Sequence, residues 1–270
     1  MESPRPVPIL ELTSGKRDLV LHRPWVNAPG FLGFAGEARE CVAIERLGAF
    51  VTPPLSLLPR TPARPPRLLT GEGSFLLHTG HPNPGLPTVL RQHQRAWSDL
   101  PVPVIAHLLL QTPYEAAEMA AQIEGLEAIA ALELGLGEVG ASQAAALVQA
   151  CVGEIPLIAH LPLGTPVEVF YAAAEAGAQA VSIGAPRGAL PAPDGTPVRG
   201  RLYGPAVFPL ALQALLQLAE ALRVPMLAGG GVYTPAQAQA LRQAGAAVVV
   251  LDGVLWTEPE RVLGGEQGAG

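Results

Sequence analysis

The chain has 270 residues, 49% hydrophobic and 15% charged, a balance that supports a large buried core and excludes an intrinsically disordered protein. Its formal net charge of −6 argues against a nucleic-acid-binding surface, which needs a basic stripe, and no apolar run reaches the roughly 18–20 residues that span a bilayer. Lys16 is the only lysine, which excludes Schiff-base chemistry on a barrel lysine.

The opening MESPRPVPILELTSGK lacks a basic segment followed by an apolar one, so no secretory signal is expected and a cytoplasmic location is. Residues 7–22 read as a β-hairpin that turns at Ser14-Gly15-Lys16 and plugs the N-terminal face of the main fold. Two short apolar runs come next, from Pro24 and from Ala49. The second leads into TPPLSLLPRTPARPPRLL, whose prolines exclude a long helix and predict an irregular loop. Three later segments repeat one pattern: VPVIAHLLLQTP from Val102, IPLIAHLPLGTP from Ile155 and VPMLAGGGVYTP from Val224. Each holds an alanine (Ala106, Ala159, Ala228) and then Thr-Pro (Thr112, Thr165, Thr234). The pattern predicts a buried parallel strand, a short loop, and a helix capped by the threonine with proline in its first turn.

Further apolar runs from Ala128, Ala180 and Ala247 bring the strands to eight, with helix-like stretches after most of them. That is the count of a single (β/α)8 TIM barrel of the α/β class, over residues 24–263. The repeats are then its third, fifth and seventh strands, and alternate strands share a layer inside such a barrel. An open doubly wound sheet is the alternative with the same alternation. The connection GAPRGALPAPDGTPVRGRLYGPAV, with Arg187, Arg199 and Arg201, reads as a long loop that either binds an acidic ligand or is merely solvated. Residues 264–270 read as a flexible tail, so residues 1–270 make one domain. Cys41 and Cys151 have no metal spacing and read as ordinary buried thiols.

Barrel active sites lie at the C-terminal strand ends. The triple glycine after the seventh strand, Gly229-Gly230-Gly231, can bare N–H groups to a phosphate or serve only as a tight turn. His107 and His160 hold equivalent places in two repeats. They read as two imidazoles converging over the mouth as acid/base groups or metal ligands, or as two locally bonded histidines. A metal would need Glu133 or Asp252 as a third ligand; no HxH or HExxH spacing supports one, and none is expected. Glu133 alternates with apolar residues in its strand. It reads as a buried carboxylate with a raised pKa, acting as a base, or as the partner of an arginine in the wall. Glu138, in GLGEVG, is expected to be solvated.

From Pro8 to Leu263 the chain resembles the dihydroorotate dehydrogenase family of FMN-dependent barrels. The resemblance rests on VNAPGFLGFAGE, LGAFVTPPLSLLPR, HTGHPNPGL, GRLYGPAVFPLAL, LAGGGVYTPAQA and VLDGVLWTEPE taken together. It implies flavin contacts at Ala28, Gly30, Thr52, His160, Gly204, Gly230, Gly231 and Gly253. It also shows departures. The family's lysine after strand two falls on Pro53, and its substrate-binding asparagine of the M-L-N segment on Leu77. The flavin-contacting lysine of strand five falls on His160, and the Asn-Thr pair after strand six on Ala185-Pro186. Its N-I-S-C-P-N stretch, which carries the catalytic base, falls on Gly135 to Gly140. The Gly-Thr after strand eight becomes Asp252-Gly253, placing a carboxylate beside the phosphate site unless a one-residue shift turns it away. The leading expectation is therefore a family member that has lost the parent reaction and serves in ligand binding or assembly. The alternative is an FMN oxidoreductase acting on dihydroorotate or another small substrate through His160 and Glu138. A small-molecule ligand and a homodimer are the partners this implies.

Overall fold

In the computed structural model, which describes residues 7–35 and 42–264, each of the eight apolar runs forms a strand. In chain order the strands are β1 (Leu10–Ser14), β2 (Arg17–Leu21), β3 (Trp25–Asn27), β4 (Phe50–Val51), β5 (Leu68–Gly71), β6 (Ser74–Leu77), β7 (Val104–Leu109), β8 (Ala131–Gly135), β9 (Leu157–Pro162), β10 (Ala180–Gly184), β11 (Arg187–Pro191), β12 (Pro197–Tyr203), β13 (Met226–Gly229) and β14 (Ala246–Leu251). The helices are α1 (Leu86–Ser98), α2 (Pro113–Glu124), α3 (Ala141–Ala150), α4 (Val167–Glu175), α5 (Phe208–Ala221), α6 (Pro235–Gln243), α7 (Val254–Thr257) and α8 (Pro259–Leu263).

The barrel runs β3-β14-β13-β10-β9-β8-β7-β4, every paired neighbour parallel. It closes between β4 and β3 through a parallel bridge from Ala49 to Val26. Asn27 completes that closure with its side chain. Its Oδ1 accepts from the Val51 N–H at 2.9 Å and its Nδ2 donates to the Val51 carbonyl at 2.7 Å. A strand of three residues cannot supply a full ladder, and the amide stands in for the missing rungs. Strands walled in on both faces read as continuous apolar runs, and all six residues of β9 and all five of β8 are buried.

The hairpin β1–β2 is antiparallel, with Leu10 opposite Leu21. Leu19 and Leu21 are fully buried beneath the barrel. Arg17 donates to the carbonyls of Leu126 and Ile129, Ser14 Oγ to that of Gly153, and Gln179 Nε2 to that of Thr13. These groups lie in the turns that lead into β8, β9 and β10, so the hairpin seals the N-terminal face.

Thr112 and Thr234 cap α2 and α6, accepting from the Glu115 and Gln237 N–H groups at 3.2 and 3.3 Å. Thr165 does not cap. The chain passes Pro166 before α4 begins, and the Thr165 hydroxyl donates back to the Pro162 carbonyl at 2.7 Å. Thr112→Ala and Thr234→Ala are each expected to cost about 1 kcal/mol and to speed amide exchange at the first turn of their own helix. Thr165→Ala should leave exchange at the start of α4 unchanged.

Two expected loops are not irregular. β5–β6 arises from the proline-rich excursion after β4, and β11–β12 from the arginine-bearing connection after β10. They join as a four-stranded antiparallel sheet, ordered β11-β12-β6-β5. The prolines tolerate this because they precede β5 or flank the turn of the second hairpin, where Pro191 of the edge strand β11 faces Pro197. Cys151 is buried, its thiol pushed up to about 12 by that burial, as expected of an inert thiol. Cys41 and the tail from residue 265 lie outside the described residues. Among the described residues no helix is long and apolar enough to cross a membrane.

Candidate functional site

At the C-terminal end of the barrel, inward-facing positions of four adjacent strands meet. His107 on β7 stands opposite Glu133 on β8, and His160 on β9 opposite Ser182 on β10. His107 Nδ1 lies 2.6 Å from Glu133 Oε2, and His160 Nδ1 lies 3.4 Å from Glu133 Oε1 and 3.1 Å from Ser182 Oγ. The two imidazoles pack edge to face, with centroids 4.9 Å apart. His107, Glu133 and His160 are all under 5% exposed. Glycines make room for the rings. A Cβ on Gly135 would stand 2.7 Å from His107 Nε2, and one on Gly184 would collide with His160 Nε2.

Burial pushes the His107 pKa down to about 4, against the pull of Glu133. Burial also opposes ionisation of Glu133, but His160 and His107 outweigh it and hold the carboxyl below its ordinary range. The expectation of a raised pKa thus fails because two imidazoles converge on the carboxylate, and no arginine takes their place. Glu133 is an ionised acceptor at neutral pH, and His107 a neutral imidazole whose Nδ1–H it fixes. The outer nitrogens, Nε2 of both histidines, are buried with no hydrogen-bond partner.

Asp252, after β14, lines the same small cavity of about 30 Å³ as His107, His160 and Gly230. Its carboxylate is turned inward, accepting from the Gly231 N–H at 3.1 Å and from the Gly253 N–H at 2.6 Å. Two N–H groups that the glycine loops would offer a phosphate are therefore spoken for. The surrounding space is filled as well. A Cβ on Gly253 would meet the Tyr233 hydroxyl and, at 2.8 Å, the Phe75 ring. Gly204 (φ +105°) and Gly231 (φ +70°) are pressed together and accept a backbone conformation that side chains resist.

The other expected residues are dispersed. Ala28 is buried at the edge of the small cavity. The Thr52 hydroxyl is consumed internally, accepting from the His107 N–H and donating to the Pro53 carbonyl. Glu138 is exposed on the rim, paired with Arg187 at 3.5 Å, and is not among the residues that line the cavity with His160. Gly30 borders a larger cleft of about 530 Å³ between the barrel mouth and the second sheet. That cleft has Arg60, Arg187 and Arg201 on its walls and Phe31, Tyr203 and Trp256 on its floor, and none of its lining residues is acidic. His81, also on its wall, is held neutral, its pKa pushed down to about 3 by burial and then by Arg201. Sequence reasoning missed the cleft because one of its walls belongs to the unpredicted sheet; the clustered arginines were its only signal.

No protein-family model matches the chain. The dihydroorotate dehydrogenase B (NAD(+)), catalytic subunit, of Pelobacter propionicus is 31% identical over 260 residues, spanning 88% of this chain and 86% of its own. Its counterpart in Trichlorobacter lovleyi is 30% identical over 262 residues, spanning 89% and 86%. Among solved structures, Eimeria tenella DHODH in complex with ferulenol matches 97% of this chain and 85% of its own with a TM-score of 0.75. At 13% identity that likeness is one of fold.

Proposed function

The chain belongs to the dihydroorotate dehydrogenase family, and from that premise we propose that it is a ligand-binding barrel without the family's flavin-dependent reaction. The observation that carries this reading is Asp252, whose carboxylate occupies the N–H groups of Gly231 and Gly253. A phosphate dianion entering there would displace a buried carboxylate or lie against it, and like charges in a low-dielectric site repel strongly. The residues present do not fit FMN.

The neighbouring positions support the same reading. The first position of the family's N-I-S-C-P-N stretch is Gly135, and the space a side chain would fill there belongs to the His107 ring. The catalytic base of that stretch has no counterpart facing the cavity, because Glu138 is on the rim. At about 30 Å³ the cavity at the mouth has room for about one water. The cleft of about 530 Å³ has the ordinary size of a small-molecule site. Three arginines over an aromatic floor suit a small planar anion.

The test is the visible absorption spectrum of the purified protein, recorded as isolated and again after incubation with excess FMN and desalting. Both samples are expected to be colourless. A flavin spectrum that survives desalting overturns the reading and returns the chain to the oxidoreductases, with His160→Ala as the next variant to assay.

A further inference from the structure

The structure assigns a divalent transition-metal site to His107, Glu133 and His160, with one nitrogen of each imidazole and one carboxylate oxygen as the protein ligands. Those three atoms already lie within 4.8 Å of one another. Metal–nitrogen and metal–oxygen bonds of about 2.0–2.2 Å place ligand atoms roughly 3–3.5 Å apart in a tetrahedral site. The His107 Nδ1 atom lies 2.6 Å from Glu133 Oε2, inside that spacing, and the His160 Nδ1 atom 3.4 Å from Glu133 Oε1, within it, so small side-chain rotations bring the three groups to one ion.

Among the described residues no lysine or arginine pairs with Glu133, whose charged-group partners are the Nδ1 atoms of His107 and His160. Three groups that each ligate transition metals therefore face one another, buried, inside the barrel mouth. Two imidazoles and a carboxylate suit zinc and its neighbours better than calcium or magnesium. The cavity, with room for about one water, supplies the fourth position. Three protein ligands and one open place is the arrangement in which such an ion activates water.

The strands hold the ligands in place. All three side chains come from β7, β8 and β9, adjacent strands of the barrel. That is the rigid support that metal centres require.

The test uses the full chain, freed of any affinity tag and stripped with a chelator, then titrated with Co²⁺ under anaerobic conditions and, separately, with Zn²⁺ followed by metal analysis. One ion per chain is expected, with visible Co²⁺ bands of low-coordinate intensity that Zn²⁺ abolishes. His107→Gln, His160→Gln and Glu133→Gln, each shown to be folded by circular dichroism, are expected to lose at least about 100-fold in affinity, more than a merely orienting outer partner costs. Absence of stoichiometric binding by the folded wild type overturns the proposal without recourse to any variant. So does binding that the three variants retain, which would place the ion elsewhere.

Discussion

His107→Leu is expected to destabilise the metal-free protein by about 3 kcal/mol or more, because it strips the closest partner from a carboxylate buried at the barrel mouth. In a chain of this size that is a fall in melting temperature of roughly 10 °C. The informative part is the comparison with Glu133. Glu133→Leu removes the buried charge itself, so it is expected to cost less than His107→Leu. The double variant His107→Leu/Glu133→Leu is expected to recover most of what the single histidine change loses. Such non-additivity marks residues that act as one unit. Thermal and urea unfolding of the four proteins in chelator at pH 7.5 measures it. Additive losses, or a Glu133 variant worse than the His107 variant, would show that Glu133 is not an ionised group held by His107.

The second large effect is a dependence of stability on pH that belongs to Asp252. Burial raises its pKa from 3.8 to about 6, although the Gly231 and Gly253 N–H groups pull the other way. Between those values the folded chain holds a proton that the unfolded chain has released. Raising the pH from about 4 to about 6 therefore weakens the fold, by a total of about 3 kcal/mol, after which the contribution is constant. His107 and His81, with lowered pKa values of about 4 and about 3, slope the other way. They are neutral in the folded chain while the unfolded chain takes up protons below about pH 6.5, so they strengthen the fold as pH rises through the same window. The Asp252 contribution is consequently read as the difference between wild type and Asp252→Asn, measured by urea unfolding from pH 4 to pH 8. That difference is expected to shift in favour of the variant as pH rises to about 6 and then to level off. A flat difference would mean that the carboxyl titrates normally.

The barrel was legible because parallel strands covered on both faces have only one way to appear in a sequence, as apolar runs, and all eight do so. The hairpin at Gly15 was legible from its turn. What escaped was the second sheet. β5, β6, β11 and β12 are exposed on one face and lie among prolines and glycines, and the pairing that joins the two hairpins, β6 to β12, links segments far apart in the chain. The pairing of His107 with His160 could be inferred from the repeat. Its convergence on Glu133 could not, because that depends on the stagger between β8 and β9, which puts Gly135 rather than Glu133 opposite His160. Asp252 shows the same limit. The sequence exposes a carboxylate where a glycine is expected, and only the turn after β14 decides that it points at Gly231 and not away.

The seam of the barrel has a consequence for biosynthesis. β3 is the first barrel strand to leave the ribosome, and one of its two neighbours, β14, is the last. Until Val249 to Leu251 have been synthesised, the edge of β3 offers unpaired N–H and carbonyl groups, and on its other side it is held to β4 by one bridge, the Gly48 N–H and the Asn27 amide. The nascent chain must keep that edge from pairing with other molecules until β14 has been made. The hairpin cannot shield it fully in the meantime, since the turns it grips, at Leu126, Gly153 and Gln179, emerge only midway. Closure thus waits on the last barrel strand and is of high contact order.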